Sequence, residues 1–423
     1  MYNSTSRQRN NFAAKTKIMN QANDYVEKSR SYLQMLCETI PGRCVGSEGN
    51  RQATRYFRQT LESLGWETRS AAFNAMDWIT NGASLTAGGE AFSVHSSPYA
   101  LGCNTEATLL QAGSLSELES LSMQDRIVLL HGELAAEQLM PKNFVFYNPE
   151  HHQKIIAALE AGKPAALICA TGYNPELAGG VYPFPLIEDG DFNIPSVYTT
   201  EEEGKRLLAL TGNKVKLVSE ATRIPGTGYN VTARKGKNPG KRIVVTAHID
   251  AKKGTPGAID NATGVAVLLL LAEMMKDYQG EPVIELAAFN GEDYYAVPGQ
   301  MLYISENHQH FNQISLNINI DGAGYHEGGS AYSLFGLPEK LTQEAHAVFR
   351  DTHGFGEGPQ WPQGDHSIFV QYGCPAIALT SEWFLQHLHT QLITHTPADQ
   401  PGIVNPARMP EIAAAIGDLI LKI

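Results

Sequence analysis

The stretch Ala247–Gly264, AHIDAKKGTPGAIDNATG, decides how the chain folds. The apolar, β-branched run RIVVT precedes it, and the apolar run VAVLLLLAEMM follows it. Between these runs His248, Asp250 and Asp260 are spaced among glycines. A buried strand, a polar loop and a helix in this order are typical of an open α/β sheet, in which ligands bind beyond the carboxyl ends of the strands.

The rest of the C-terminal half repeats the strand and helix pattern. The strand-like runs are RIVVTAH, VIELAAF, ISLNINI and PAIALTS, and the helix-like runs between them are GVAVLLLLAEMMKDY, PGQMLYISEN and LTQEAHAVFR. Nearly continuous apolar strands that alternate with helices indicate a sheet buried on both faces. The sequence therefore predicts an α/β fold with a mixed, largely parallel sheet and helices on both faces.

The middle of the chain has a different pattern. Short β-like runs dominate residues 81–223, with one helix candidate, PEHHQKIIAALEAG, among them. This length is typical of a domain with its own core. The sequence predicts a discontinuous catalytic domain, 1–80 and 224–423, that is interrupted by an inserted β-rich domain at 81–223.

The amino-acid composition argues against two classes of binding partner. The chain has 423 residues, 43% of them hydrophobic, and a net charge of −12 without a cluster of Lys or Arg. This charge argues against binding to nucleic acid or to an anionic membrane surface. No apolar run reaches the length of a membrane span, and the polar N-terminus has no signal-peptide core. Five cysteines without a CxxC pair fit a cytoplasmic protein, with secretion as the alternative if the N-terminus is trimmed.

Polar side chains follow each apolar strand of the C-terminal half. They are two histidines and five carboxylates: His248, Asp250, Asp260, Glu292, Asp293, Asp321 and His395. Each motif alone is typical of a turn, but the full set at successive strand ends predicts a metal site. Histidine and carboxylate suit zinc, and the surplus of acids suggests two ions that share a carboxylate.

These motifs carry a resemblance to a known family. AHID, PGAIDNATG, NGED, NIDGAG and ITHTPAD resemble, in this order, the metal motifs of co-catalytic zinc peptidases such as bacterial leucyl aminopeptidase, aminopeptidase S and glutamate carboxypeptidase. The early loop GRCVGSEGN and the segment GDHSIFVQYGCPAIAL are also similar to that family. The middle region resembles the protease-associated domain that several relatives carry, so the resemblance covers nearly the whole chain.

The resemblance implies a ligand set for two divalent ions per chain, with zinc as the expected metal and manganese or cobalt as alternatives. His248 and Asp321 would hold one ion. Asp293 and His395 would hold the other, and Asp260 would bridge the two.

The resemblance also implies two catalytic roles. Glu292 would be the general base that takes a proton from the attacking water and passes it to the leaving amine. Asp250 would hold the imidazole of His248 in the required orientation. The sequence departs from the family pattern at Asp293, where the family has Glu, and at Thr394, where some relatives have Tyr. Asp365 is a weak candidate for substrate binding.

The function predicted from these residues is that of a metal-dependent exopeptidase, most simply an aminopeptidase that acts on peptides. The alternatives are a carboxypeptidase, a glutaminyl-cyclase-like acyltransferase with one zinc ion, or a binding protein that has lost catalysis. The complete ligand set favours two metals, and the presence of Glu292 favours an enzyme. Side-chain preference and oligomeric state stay open. Outside this set, the adjacent His151 and His152 are predicted to be surface residues.

Overall fold

The computed structural model describes residues 22–40, 42–173 and 181–423. The polar N-terminal segment, on which the prediction of a missing signal peptide depends, lies outside the described residues. The helices are 22–34 (α1), Glu48–Ser63 (α2), Leu115–Ser120 (α3), Glu150–Gly162 (α4), Glu201–Leu208 (α5), Thr263–Met274 (α6), Pro298–Asn307 (α7), Glu339–Asp351 (α8), His366–Gln371 (α9), Glu382–His387 (α10) and Arg408–Lys422 (α11).

Fourteen strands lie within the described residues, joined in one continuous sheet. They are Glu67–Ala87 (β1), Glu90–Phe92 (β2), His95–Ser96 (β3), Cys103–Ala112 (β4), Ile127–Leu130 (β5), Ala166–Thr171 (β6), Ser196–Thr200 (β7), Lys214–Lys235 (β8), Asn238–His248 (β9), Pro282–Phe289 (β10), Ile314–Ile320 (β11), Ser330–Phe335 (β12), Phe355–Glu357 (β13) and Ala376–Ser381 (β14). The strand order is β13-β12-β14-β11-β9-β10-β8-β4-β5-β6-β7-β3, with β1 on β8 and β2 on β1.

The centre of the C-terminal half is a parallel group of four strands. β10 and β11 pair in parallel with β9 on its two sides, and β14 pairs in parallel with β11. β8 and β12 flank this group in antiparallel orientation. The prediction of a mixed, largely parallel sheet is therefore confirmed, and the four parallel strands end at one edge.

Helices cover both faces of this sheet, as predicted. Successive side chains of a strand point to opposite faces. In β9, Ile243 and Val245 pack in the cluster that contains residues of α1, α2, α6 and α11. Val244 packs in a separate cluster with residues of α7 and α9. Ten of the twelve residues of α6 are buried, which explains why its sequence is apolar on all sides.

A long antiparallel ribbon of β1 and β8 joins the C-terminal half of the sheet to the middle of the chain. Its register runs from Glu67 opposite Arg234 to Ala87 opposite Val215. The expected boundaries near Asn81 and Arg223 fall inside these two strands. Beyond them, β3 to β7 enclose apolar clusters separate from the cluster around α6. The interpretation of residues 81–223 as an inserted protease-associated-like domain stays a prediction.

The described helices include none with both the length and the apolar character that crossing a membrane requires.

Candidate metal centre

Three neighbouring parallel strands bring the predicted ligands to one edge of the sheet. His248 is the last residue of β9, Asp321 directly follows β11, and Asp293 lies four residues after the end of β10. Asp260 lies in an irregular turn just before α6, where its backbone angles depart from helical values. His395 lies in the loop that follows α10. These five residues are far apart in the sequence but meet because their strands are adjacent.

The five side chains form two groups that share Asp260. In the first, Nε2 of His248 lies 3.1 Å from Oδ1 of Asp260 and 3.5 Å from Oδ1 of Asp321. In the second, Nε2 of His395 lies 3.2 Å from Oδ2 of Asp260 and 3.0 Å from Oδ1 of Asp293. The two oxygens of Asp260 therefore face two different histidines, as a bridging carboxylate requires.

The unpaired polar atoms of the cluster fit a cation. Among the described residues, both ring nitrogens of His248 and Oδ2 of Asp293 are buried without a hydrogen-bond partner of good geometry. Burial acts to raise the pKa of Asp260, but the imidazoles of His248 and His395 lower it below its usual range. Buried polar atoms without partners are costly, and a zinc ion accepts imidazole and carboxylate together. The donor set therefore fits divalent metal.

The charges around His248 point to the same conclusion. Burial acts to lower the pKa of its imidazole, but the carboxylates of Asp321, Asp250 and Asp260 raise it well above the usual value. His395 responds in the same way to Asp293 and Asp260. Each imidazole is thus surrounded by negative charge that favours a cation in the space between the side chains.

Asp250 connects the loops that follow β9 and β10. Its Oδ1 accepts hydrogen bonds from the backbone N–H groups of Gly291 (2.8 Å) and Glu292 (3.3 Å), and its Oδ2 accepts one from Asp293 (3.0 Å). Oδ1 lies 3.7 Å from Nδ1 of His248, which is longer than a hydrogen bond. The carboxylate thus positions the loop of Glu292 and Asp293, and its predicted role in orienting the imidazole of His248 stays a prediction.

Glu292 lines the same cavity as the ligands. Burial raises the pKa of its carboxyl well above the usual value, Asp321 and Asp293 act in the same direction, and His248 opposes them. Its role as general base is not tested by the geometry alone and stays a prediction.

Two residues that sequence reasoning gave no role hold the loop of Asp260. Arg43 is buried and donates to the carbonyl oxygens of Gly257 (2.7 Å), Pro256 (2.8 Å) and Ile249 (2.9 Å). It lies in the glycine-rich loop GRCVGSEGN, whose sequence does not indicate these backbone contacts.

Asp399 holds the same loop from the other side. Its Oδ1 accepts from the backbone N–H of Ile259 (2.7 Å), and its Oδ2 accepts from that of Asp260 (3.1 Å). Burial raises the pKa of Asp399 to about 7, and the nearby charge of Asp260 adds to this effect. Because Asp399 is four residues after His395, it ties the two ligand loops together.

The two remaining residues that the sequence singled out are Asp365 and Thr394, of which only Thr394 lines the cavity. Asp365 is buried, its Oδ1 accepts from Nε2 of Gln300 (2.8 Å), and burial raises its pKa to about 7. The adjacent Gly364 lines the cavity. Thr394 also lines the cavity, and its hydroxyl accepts from Nε2 of Gln391 (2.6 Å). Substrate binding by Asp365 stays a prediction.

The prediction for His152 was wrong. The side chain is buried on the inner side of α4, and its Nδ1 accepts from the backbone N–H of Met140 (3.1 Å). Its Nε2 therefore carries the proton and donates to Oε1 of Glu137 at 3.0 Å, while Nε2 of His151 lies 2.9 Å from the same oxygen. Because both ring nitrogens of His152 are engaged in hydrogen bonds, these residues form a hydrogen-bonded cluster rather than a metal site.

The cavity next to the metal ligands has a volume of about 290 Å³. The C-terminal half contributes apolar side chains that include Trp361, Phe384 and Leu388. Residues 138–144, from the predicted inserted domain, line the facing side with Leu139 and Phe144. The cavity is therefore built from both parts of the chain.

Comparison with known proteins shows which family this chain is similar to. Residues 230–420 match the model of Peptidase family M28. Leucine aminopeptidase 2 of Trichophyton equinum is 24% identical over 200 residues, which cover 44% of this chain and 40% of that protein. The probable lipoprotein aminopeptidase LpqL of Mycobacterium tuberculosis is 25% identical over 305 residues, 69% of this chain and 57% of that protein. The chain thus spans less than two thirds of the length of these curated relatives.

A solved structure shares the fold. BSAP, a zinc aminopeptidase from Bacillus subtilis, superposes with a TM-score of 0.72 at 18% identity and covers 94% of each chain. The family that the matches support is Peptidase family M28, whose model covers residues 230–420. Because one relative is named a lipoprotein, the cytoplasmic location stays a prediction.

Replacement of Asp250 by Asn should weaken metal binding. The amide retains one acceptor oxygen for three backbone donors, so the loop of Asp293 loses its position. Outer partners of this kind are worth about 10- to 100-fold in metal affinity. The measurement is the zinc dissociation constant by competition with a chelator. The matched control is Asp189→Asn, which removes a buried carboxylate that accepts from the backbone of Lys142 and Asp191. Equal zinc affinity in Asp250→Asn and the unaltered protein would contradict the role given to Asp250.

Proposed function

We propose that this protein is an aminopeptidase that removes N-terminal residues from peptides with two divalent metal ions, zinc being the expected ion. The observation that carries the proposal is the position of Asp260, whose two oxygens each face one histidine. Each of those histidines also faces one further aspartate, so the donors form two equivalent halves. Such a pair of half-sites is suited to two ions that share one carboxylate.

The proposed ligands follow from the two groups. His248 and Asp321 would hold one ion, Asp293 and His395 would hold the other, and Asp260 would be shared between the two. When bound, the ions polarise the scissile carbonyl and make a water molecule more acidic at neutral pH. Asp293 is one methylene shorter than a glutamate, but its Oδ1 already lies close to His395, so the shorter side chain still reaches the group.

Glu292 carries the proton in the proposed reaction. Its carboxylate takes a proton from the attacking water and gives it to the nitrogen of the leaving amine, which restores the base. The side chain lines the substrate cavity beside Asp293, and the carboxylate of Asp250 holds its backbone N–H. The base and a metal ligand are therefore positioned by the same loop, so their separation is fixed.

Peptides are the proposed substrates, and residues 81–223 are proposed to form a protease-associated-like domain that limits access to the cleft. The apolar side chains of Leu139 and Phe144 on that side face Trp361 and Phe384 on the other. Such a cavity suits an apolar side chain beside the scissile bond. Hydrolysis of aminoacyl-anilides, with N-acetylated and C-terminally amidated peptides as comparisons, separates an aminopeptidase from a carboxypeptidase.

Removal of metal should abolish hydrolysis. Dialysis against a chelator should leave a folded protein without aminoacyl-anilide activity, and added zinc should restore the activity. Elemental analysis of the active protein should approach two ions per chain, because the ligands form two groups. Full activity in metal-free protein would refute the proposal, and one ion per active chain would favour the acyltransferase alternative.

Glu292→Gln should separate the base from the ligands. It keeps the shape of the side chain but removes the proton acceptor, so turnover should fall by about 10²- to 10⁴-fold with metal content unchanged. Asp260→Asn is the matched comparison and should lose metal together with activity, because it weakens the bridge. The measurements are turnover and metal content for each variant. Metal loss in Glu292→Gln would show that Glu292 is a ligand.

A further inference from the structure

A second cavity of about 150 Å³ adjoins the metal cleft. Its walls combine aromatic side chains, Trp78, Tyr99 and Tyr198 among them, with charged and polar ones. Asp293 and His395 line both cavities, so both lie beside the same half of the metal centre. Whether a substrate side chain bound at the metals enters the second cavity therefore depends on the residues that separate the two.

One ion pair borders both cavities. Nζ of Lys252 lies 2.8 Å from Oε1 of Glu188, and Nε2 of Gln138 donates to Oε2 of Glu188 at 3.0 Å. All three residues line both the larger and the smaller cavity. The side chains of Lys252 and Glu188 are 23% and 10% exposed, so the pair is largely withdrawn from water. A pair with this much burial holds its geometry better than an exposed one.

The ion pair joins the two parts of the chain. Lys252 is two residues after Asp250, in the loop that begins at the metal centre, while Glu188 and Gln138 belong to residues 81–223. Asp250 fixes one end of this loop through its bonds to Gly291 and Asp293. The backbone of Lys252 is therefore held close to the metal ligands, and its side chain joins this loop to the facing segment.

The neighbouring Lys253 is oriented differently. Its Nζ lies 2.6 Å from Oδ1 of Asp77 and 4.9 Å from the ring centre of Trp78, and it also contacts the carbonyl oxygen of Trp78. Lys253 lines the smaller cavity but not the larger one. Two adjacent lysines thus form similar ion pairs, and only that of Lys252 borders both cavities.

We infer that the Lys252–Glu188 pair determines specificity by closing the smaller cavity to the substrate side chain beside the scissile bond. The inference rests on the proposed exopeptidase function and names the side-chain class that it selects. With the pair in place, the accessible space is the larger cavity, which is at the small end of the range of about 300–1,000 Å³ for ligand sites. Small and medium aliphatic side chains are therefore favoured over bulky aromatic ones, which would gain most from the space of the smaller cavity.

Truncation of the pair should open the smaller cavity. In Lys252→Ala/Glu188→Ala both charges are removed together, so no unpaired buried charge remains. The test is the binding of alanine and phenylalanine hydroxamates to zinc-loaded protein by calorimetry, which needs no turnover. The preference for the phenylalanine over the alanine compound should rise by about tenfold or more, because pocket size discriminates side chains by this order.

Two further variants keep the test decisive. Lys252→Glu/Glu188→Lys restores a pair of similar bulk and should keep the preference of the unaltered protein. Lys253→Ala should also leave the preference unchanged, because this residue borders only the closed cavity. Thermal melting shows whether each variant is folded. If the double truncation does not fold, the single variants Lys252→Ala and Glu188→Ala replace it, and the charge-reversed pair is their comparison.

The outcomes distinguish this inference from the proposed function. An unchanged preference in folded truncation variants overturns the role of the pair, even if the protein hydrolyses aminoacyl-anilides. A shifted preference supports it, even if turnover is absent and the proposed catalysis fails. An equal shift in Lys253→Ala also overturns it, because the effect would then not depend on the border between the cavities.

Discussion

The carboxylate of Asp250 is the contact on which the site depends. It accepts three backbone N–H groups from the loop after β10, although it belongs to the loop after β9. His248, at the end of β9, and Asp293, in the loop after β10, are thereby held close together, and the same carboxylate holds the backbone N–H of Glu292. A charged acceptor that satisfies several buried backbone donors is strong and directional. The parallel sheet brings the loops to one edge, and this carboxylate fixes how they meet there.

The remaining ligands are held by backbone contacts rather than by contacts between the ligands themselves. Arg43 and Asp399 hold the loop of Asp260 from opposite sides, through carbonyl oxygens and N–H groups respectively. Crowded carboxylates repel one another, so a site of this kind needs a frame that resists the repulsion until a cation compensates it. The frame consists of the strand ends, one buried guanidinium and two buried carboxylates that act as acceptors.

The sequence predicted the sheet and the meeting of the ligands because both follow from local patterns. Strand ends, apolar periodicity and polar residues after each strand are visible in a short window. The acceptor role of Asp250 and the contacts of Arg43 were not visible, because backbone donors and acceptors have no sequence signature. The burial of His152 could have been found, since it shares the i, i+3, i+4, i+7 spacing of one helix face with Ile155, Ile156 and Leu159. The ends of the middle region were not visible in the sequence because β1 and β8 each continue across them as a single strand.

The shared ribbon of β1 and β8 has a mechanical consequence. A domain joined by linkers turns about a few freely rotating bonds, but two paired strands resist bending in the plane of their hydrogen bonds. Any displacement of residues 81–223 toward the cleft must therefore deform the ladder, and the interruption of register between Thr80 and Ala83 is where it deforms with least loss of hydrogen bonds. The stiffness of this ribbon therefore limits how far the opening between the two parts of the chain can widen.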